Sequence, residues 1–202
     1  MTNVQKDNTT GEQTLSELAA VASHLCRSTV QVLNGTGVGS GVIWHSNGLI
    51  ITNAHVAQGS HATVETKDGR VFEAAVTARD PARDLAALKV EMVDLPAVTV
   101  GDSDALRVGE LVLAIGNPLG LIGALTTGII SRLDPGEVPS RQRWVMTNVR
   151  LFPGNSGGPL ADARGQVIGI NSMIAGGLAL AVPSNAVERF LQLGESRTTN
   201  WI

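Results

Sequence analysis

Residues 41–52 indicate the fold class, and they read Gly41-Val42-Ile43-Trp44-His45-Ser46-Asn47-Gly48-Leu49-Ile50-Ile51-Thr52. Two short runs rich in β-branched residues flank the Asn47-Gly48 pair, which tolerates the positive φ angles of a tight hairpin turn. Asp68-Gly69 repeats this signal further along the chain. Such runs, separated by turn residues, are typical of antiparallel strands.

Ten more runs of this kind follow the same pattern. Four of these runs would complete one small barrel with the two above, and they lie at 28–33, 62–65, 71–78 and 86–90. The other six would form a second barrel, and they lie at 111–115, 126–133, 145–149, 159–161, 167–174 and 178–182. Regularly spaced short strands favour closed barrels, which hide their edges. The sequence therefore predicts an all-β fold of two six-stranded antiparallel β-barrels, at 28–100 and 101–193.

Helices are predicted at both ends of this fold. Residues 1–27 read as a tail and a helix that begins at Thr14, where Thr14 and Glu17 fit a capping box. A short C-terminal helix is predicted at about 184–193, and residues 194–202 read as a second tail.

Composition excludes several classes of protein. The 202 residues carry 15 basic and 18 acidic side chains without a basic run, so nucleic acid is not an expected partner. Cys26 is the only cysteine, which excludes an intramolecular disulfide. The sequence has no run of membrane-spanning length and no signal-peptide pattern at its start. These features predict a cytoplasmic location, or a periplasmic one if a signal segment has been removed.

Ser156 lies in the stretch Gly154-Asn155-Ser156-Gly157-Gly158-Pro159-Leu160. Glycines let backbone N–H groups approach a reacting carbonyl, as an oxyanion hole requires. We interpret Ser156 as a catalytic nucleophile, with the N–H groups of Gly154 and Ser156 as the oxyanion hole. A glycine-rich hairpin with an ordinary serine is the alternative.

A serine nucleophile needs a base close in space. His55 follows the run at 49–52, where a strand passes into a turn, and is the best placed of the four histidines. Asp84 precedes an apolar strand and is the best carboxylate to orient the imidazole, whereas Asp80 before Pro81 is typical of a turn. Taken singly, His55 is also explained as a loop or core histidine, and Asp84 as an acid at a strand start.

Seven ordered motifs between about 28 and 193 resemble the HtrA/Deg (DegP-like) branch of the trypsin-like serine proteases. They lie at 39–43, 52–56, 80–81 with 84–86, 116–120, 127–131, 154–160, and 169–171 with 181–185. The resemblance implies a chymotrypsin-like double barrel with a catalytic triad of His55, Asp84 and Ser156, in the chain order of that class. It also implies an ATP-independent endopeptidase that cleaves unfolded or damaged polypeptides through an acyl-enzyme, without a metal or organic cofactor.

Three features depart from the family pattern. A PDZ module usually follows the protease domain, whereas this chain ends at Ile202. The aromatic residues that often build family trimers are absent from 1–27, so a homotrimer is left open. Asn148, Arg150 and Phe152 stand where the family carries an aspartate and smaller residues.

These replacements leave specificity and resting state open. Arg150 holds the position that can floor the primary specificity pocket, so it either points inward and favours an acidic side chain or points outward. In the second case an apolar pocket would be shaped by Leu151, Ile170, Leu178 and Leu180. Phe152 is compatible with a plugged, latent enzyme.

The alternatives to a broad protease are a proteolytically latent holdase or scaffold that binds unfolded chains, and a sequence-specific processing protease.

Overall fold

The computed structural model describes residues 8–35, 37–133 and 143–198. The first barrel consists of the strands β1 (Thr29–Asn34), β2 (Gly37–His45), β3 (Leu49–Thr52), β4 (His61–Glu65), β5 (Val71–Asp80) and β6 (Leu85–Lys89). Their order in the sheet is β1-β2-β3-β6-β5-β4, and pairing of β1 with β4 closes the barrel. Gly48 and Gly69 have φ angles of 95° and 81°, as the two hairpin turns require.

The second barrel consists of the strands β8 (Leu111–Gly116), β9 (Ala124–Leu133), β10 (Val145–Thr147), β11 (Pro159–Asp162), β12 (Gln166–Ala175) and β13 (Leu178–Pro183). Their order in the sheet is β11-β8-β9-β10-β13-β12, and pairing of β11 with β12 closes the barrel. A short strand β7 (Thr99–Val100) pairs in parallel with β12. The predicted all-β fold of two six-stranded antiparallel barrels is confirmed.

Both predicted helices are present, although their limits differ from the prediction. Helix α1 runs over Asn8–Arg27, so Thr14 lies in its second turn and the predicted capping box is wrong. Only the first four N–H groups of a helix lack partners, and Thr14 lies beyond them. Helix α2 runs over Ser184–Thr198, past Gly194, because a single glycine weakens a helix by only about 1 kcal/mol. The tail residues 1–7 and 199–202 lie outside the described residues.

One apolar cluster joins the two barrels and both helices. It is fully or nearly fully buried and includes Leu25, Trp44, Ile51, Ile115, Ile170 and Phe190. The Trp44 Nε1–H also donates to Glu188 Oε1 of α2 at 2.8 Å. Each barrel has a separate interior cluster of its own. No helix in the described part of the chain is long and apolar enough to cross a membrane.

Candidate active site

His55 and Asp84 lie together at one edge of the first barrel. His55 follows β3 and Asp84 precedes β6, and these strands are hydrogen-bonded neighbours with Thr52 opposite Ala86. Both carboxylate oxygens of Asp84 are 2.9 Å from His55 Nδ1. The backbone N–H of His55 donates to Asp84 Oδ1 at 3.1 Å. One carboxylate therefore holds both the ring and the backbone of the histidine.

The backbone of Asp84 adopts a left-handed conformation, with φ of 55°. Aspartate and asparagine are among the few residues other than glycine that tolerate this region. Asn53 Nδ2 donates to the Asp84 carbonyl oxygen at 2.9 Å and helps to fix the turn. The Asp84 side chain is only 14% exposed, whereas that of His55 is 48% exposed. The carboxylate is thus screened while the imidazole remains open to a substrate.

The Asp84 carboxyl group is held in its ionised form. Burial raises the pKa of Asp84, but hydrogen bonds from His55 and Ser172, with the charge attraction of His55, outweigh it. The pKa of Asp84 is therefore lower than its ordinary value. An ionised carboxylate can accept the imidazole Nδ1–H and stabilise an imidazolium when one forms.

Ser172 connects the two barrels at this site. It lies in β12 at an irregularity in register between Asn171 and Met173. Its hydroxyl donates to Asp84 Oδ2 at 2.5 Å, and its carbonyl oxygen accepts the hydroxyl of Ser156 at 2.8 Å. One residue of the second barrel therefore contacts both the carboxylate of the first barrel and the predicted nucleophile.

The Ser156 hydroxyl is directed at Ser172 in this structure. Across the described residues, no hydrogen bond joins Ser156 Oγ to His55. Catalytic hydrogen bonds are often long or misaligned in proteins without substrate and tighten when substrate binds. Rotation of the Ser156 side chain about χ1 is the change that would redirect its proton.

The loop that carries Ser156 requires glycine at two positions, one on each side of the serine. Gly154 and Gly157 have φ angles of 102° and 88°. A Cβ atom on Gly154 would lie 2.4 Å from the Asn117 carbonyl oxygen, and one on Gly157 would lie 2.0 Å from that of Ser40. Within the described ranges, the N–H groups of Gly154 and Ser156 donate to no protein acceptor. These two donors are available to an oxyanion.

The residues predicted to shape the specificity pocket lie in different environments. Arg150 is exposed, and its carbonyl oxygen accepts the hydroxyl of Thr126 at 3.0 Å. Leu151 is half-buried against the interior cluster of the second barrel. Leu178 is half-buried at the start of β13, and Leu180 is 8% exposed.

Ile170 differs from the other predicted pocket residues. It is fully buried in the cluster between the barrels, so it offers no surface to a substrate side chain in this structure. Apolar surface is found instead on Met173 and Ile174, which are 44% and 59% exposed. Leu180 lies opposite Met173 on β12 and Met146 on β10, so the three form one apolar row across neighbouring strands. No motif or spacing in the sequence singled out Met173 or Ile174.

Phe152 lies in the loop before the nucleophile and is 45% exposed, so its ring is not packed into a closed pocket. Its carbonyl oxygen accepts the N–H of Asn155 at 3.0 Å, which makes Phe152 part of the turn that carries the nucleophile.

Sequence reasoning missed three residues that organise the site, namely Ser40, Asn117 and Ser172. Ser40 and Asn117 lie within the motifs that carry the family resemblance, and Ser172 directly follows one at Asn171, so proximity to a motif was the available signal. Neither periodicity nor residue type indicates their partners, because the two partners of the Ser40 hydroxyl lie 77 and 114 residues away and those of Ser172 lie 16 and 88 residues away. In the part of the chain that the structure describes, no group of three or more His, Cys, Asp or Glu side chains could hold a metal ion.

A double barrel with a His–Asp pair, linked through one serine to a second serine in a glycine-rich loop, defines the trypsin-like class of serine peptidases. The chain belongs to the trypsin-like peptidase domain family, whose model matches residues 39–170. Its relatives include proteins named as HtrA and DegP-type serine proteases. These names support serine endopeptidase activity for the domain.

Individual comparisons show how far the similarity extends. The putative serine protease HhoB of Synechocystis sp. is 47% identical over 156 residues, covering 73% of this chain and 38% of that protein. The mitochondrial serine protease HTRA2 of Bos taurus is 38% identical over 169 residues, covering 80% and 37%. A solved structure of the HtrA-type protease AlgW with a tripeptide has a TM-score of 0.80 at 35% identity, covering 87% of this chain and 62% of that one. The chain thus spans less than half the length of these curated relatives.

Asp84→Asn tests the ionised carboxylate through the pH dependence of stability. Because the folded-state pKa of Asp84 is lowered, its stabilisation is present above the ordinary aspartate pKa of about 3.9 and is lost as the pH falls through the folded-state value. The difference in unfolding free energy between wild type and Asp84→Asn should be largest above about pH 5 and shrink below about pH 4. Urea unfolding curves across this range measure it.

Asparagine tolerates the left-handed conformation, so this substitution leaves the backbone in place. In a His55→Ala background the pH dependence should be weaker, because the main hydrogen-bond donor to the carboxylate is gone. A difference in unfolding free energy between Asp84→Asn and wild type that is the same at every pH would contradict the lowered pKa of Asp84.

Proposed function

We propose that this domain is a serine endopeptidase in which Ser156 is the nucleophile, His55 the general base and then acid, and Asp84 the orienting carboxylate. The pair of hydrogen bonds at Ser172 supports this function most directly, because the Ser172 hydroxyl donates to Asp84 and the Ser172 carbonyl oxygen accepts from Ser156. They link the nucleophile of one barrel to the His–Asp pair of the other.

The reaction follows from the groups at the site. Ser156 Oγ turns from the Ser172 carbonyl to His55, gives up its proton to Nε2 and attacks the scissile carbonyl carbon. The oxyanion that forms accepts hydrogen bonds from the N–H groups of Gly154 and Ser156. His55 then protonates the leaving amine, which departs as the acyl-enzyme forms. A water molecule, deprotonated by His55, hydrolyses this ester and restores Ser156.

Asp84 remains ionised throughout and stabilises the imidazolium. Each proton in this sequence moves between Ser156, His55, the substrate and water. Cleavage of the peptide bond itself consumes only water, and ATP-independent action is proposed from the resemblance to the HtrA/Deg family.

The proposed substrates are unfolded or damaged polypeptides with aliphatic side chains. Along β12, residues 173–175 pair with β13, and the described residues supply no strand on their other side. An extended peptide can add to such an edge, but a folded protein has already paired its strands. The exposed side chains of Met173 and Ile174 give this edge an apolar surface.

The exposure of Arg150 supports the outward alternative for that side chain. The apolar pocket is then formed by Leu151, Leu178 and Leu180, which favour an aliphatic residue before the cleaved bond. The named relatives give no support to the holdase alternative. Assembly into a homotrimer stays a prediction of the resemblance.

Ser156→Ala is expected to abolish both turnover and covalent labelling. Triad residues act as a unit, so casein cleavage should fall by about four to six orders of magnitude. A fluorophosphonate should label wild type and the control Ser60→Ala, an exposed loop serine, but should not label Ser156→Ala. Equal labelling of wild type and Ser156→Ala would rule out Ser156 as the nucleophile, and binding of unfolded casein without cleavage by wild type would favour a holdase.

Arg150→Ala tests the direction of that side chain. If Arg150 points outward, peptides with valine or leucine before the cleaved bond should be the best substrates of both proteins, with kcat/KM changed less than about threefold. Leu180→Ser is the matched change within the proposed pocket and should lower kcat/KM for the same peptides. A wild-type preference for glutamate or aspartate that Arg150→Ala removes would show instead that the guanidinium faces the substrate.

A further inference from the structure

Ser40 is a buried residue of the first barrel whose polar groups reach the nucleophile loop of the second. It lies in β2 and is fully inaccessible to solvent. Its hydroxyl donates to the Gly154 carbonyl oxygen at 2.7 Å, and its backbone N–H donates to the Ser156 carbonyl oxygen at 2.8 Å. One strand residue thus holds the carbonyl groups on either side of Asn155.

The direction of the Ser40 hydroxyl is set by Asn117. A serine hydroxyl donates one proton and accepts at its lone pairs. The backbone N–H of Asn117 donates to Ser40 Oγ at 2.9 Å, which leaves the hydroxyl proton for the Gly154 carbonyl. Asn117 is itself fixed, because its Nδ2 donates to the Val30 carbonyl oxygen at 2.8 Å and its Oδ1 accepts the N–H of Gly123 at 2.9 Å.

Gly154 needs such a restraint because it has no Cβ to limit its conformation. Peptide planes on either side of a glycine rotate more freely than those beside other residues. The Gly154 N–H lies in the plane before Gly154, so the plane after Gly154 restrains it through the torsion angles of this residue, whose φ is 102°. Ser40 holds the plane that follows Gly154, and the Asn155 N–H in the same plane donates to Phe152 at 3.0 Å. The Asn117 carbonyl oxygen packs against the position that a Cβ on Gly154 would take.

We propose that Ser40 is a positioning residue for the oxyanion hole. Its hydroxyl, oriented by Asn117, keeps the Gly154 carbonyl turned toward the first barrel, so that the Gly154 N–H stays directed at the reacting carbonyl. Ser40 touches neither substrate nor reacting atoms in this role, which rests on the proposed function. Without the hydroxyl, only part of the population presents the Gly154 N–H, and turnover falls with that fraction.

Ser40→Ala compared with Ser184→Ala tests this role. Both serines are fully buried and donate to a backbone carbonyl, since Ser184 Oγ donates to Gly101 at 2.6 Å. The control therefore makes the same chemical change away from the oxyanion loop. Kinetics on a peptide amide substrate would be expressed per folded molecule, with the folded fraction measured by tryptophan fluorescence.

We expect kcat of Ser40→Ala to fall about 10- to 100-fold with KM changed less than about threefold, because the lost interaction acts on the transition state. The affinity for a peptide aldehyde, which forms an oxyanion on Ser156, should fall in parallel with kcat. Ser184→Ala should keep kcat and aldehyde affinity within about threefold of wild type. A merely structural role for Ser40 would not move kcat and aldehyde affinity together at constant KM.

Ser40→Thr keeps the hydroxyl and serves as the second variant where Ser40→Ala fails to fold. Its kcat should lie closer to wild type than to an enzyme that lacks an oxyanion donor, which is slowed about 100-fold or more. A Ser40→Thr enzyme as slow as that, or a Ser40→Ala enzyme as fast as Ser184→Ala, would overturn the inference.

Failure of this inference is distinguishable from failure of the proposed function. If wild type neither cleaves casein nor reacts with a fluorophosphonate, the proposed function fails and the role of Ser40 falls with it. If wild type does both and Ser40→Ala matches Ser184→Ala in kcat and aldehyde affinity, only the role of Ser40 fails.

Discussion

The docking of the two barrels is the constraint on which the site depends, because His55 and Asp84 belong to one barrel and Ser156 and Ser172 to the other. The apolar cluster between them drives docking but is not directional. Direction comes from buried hydrogen bonds such as Ser40 to Gly154 and Ser172 to Asp84. A buried polar group without a partner costs about 1–3 kcal/mol, so a shifted docking that breaks these bonds is disfavoured.

The same buried contacts prepare the site for chemistry before substrate arrives. The Asp84 carboxylate is ionised and already holds the imidazole, and the N–H groups of Gly154 and Ser156 have no acceptor among the described residues. Preorganised donors stabilise a transition state without rearrangement at the moment of reaction. The Ser156 hydroxyl is the part that must still move, from the Ser172 carbonyl to His55. This change is a side-chain rotation that leaves the backbone contacts intact.

The strands and the principal candidate residues were predictable because their signals are local. Alternating β-branched runs and Asn-Gly or Asp-Gly pairs located the twelve predicted strands to within four residues at each end. His55, Asp84 and Ser156 were found from residue type, flanking strands and order along the chain. Ser40, Asn117 and Ser172 were missed because their partners are distant in sequence. A local signal also misled, since the Thr14 and Glu17 pair resembles a helix start but lies inside α1.

A crystal structure of the fluorophosphonate adduct would show whether Ser156 is the nucleophile and Gly154 and Ser156 form the oxyanion hole. We expect phosphorus bonded to Ser156 Oγ, with the phosphonyl oxygen about 2.7–3.1 Å from both the Gly154 and Ser156 backbone nitrogens. His55 should remain hydrogen-bonded to Asp84, and the Ser172 carbonyl should no longer contact Ser156 Oγ. A phosphonyl oxygen bound by other donors, or a reagent attached to another residue, would contradict these roles.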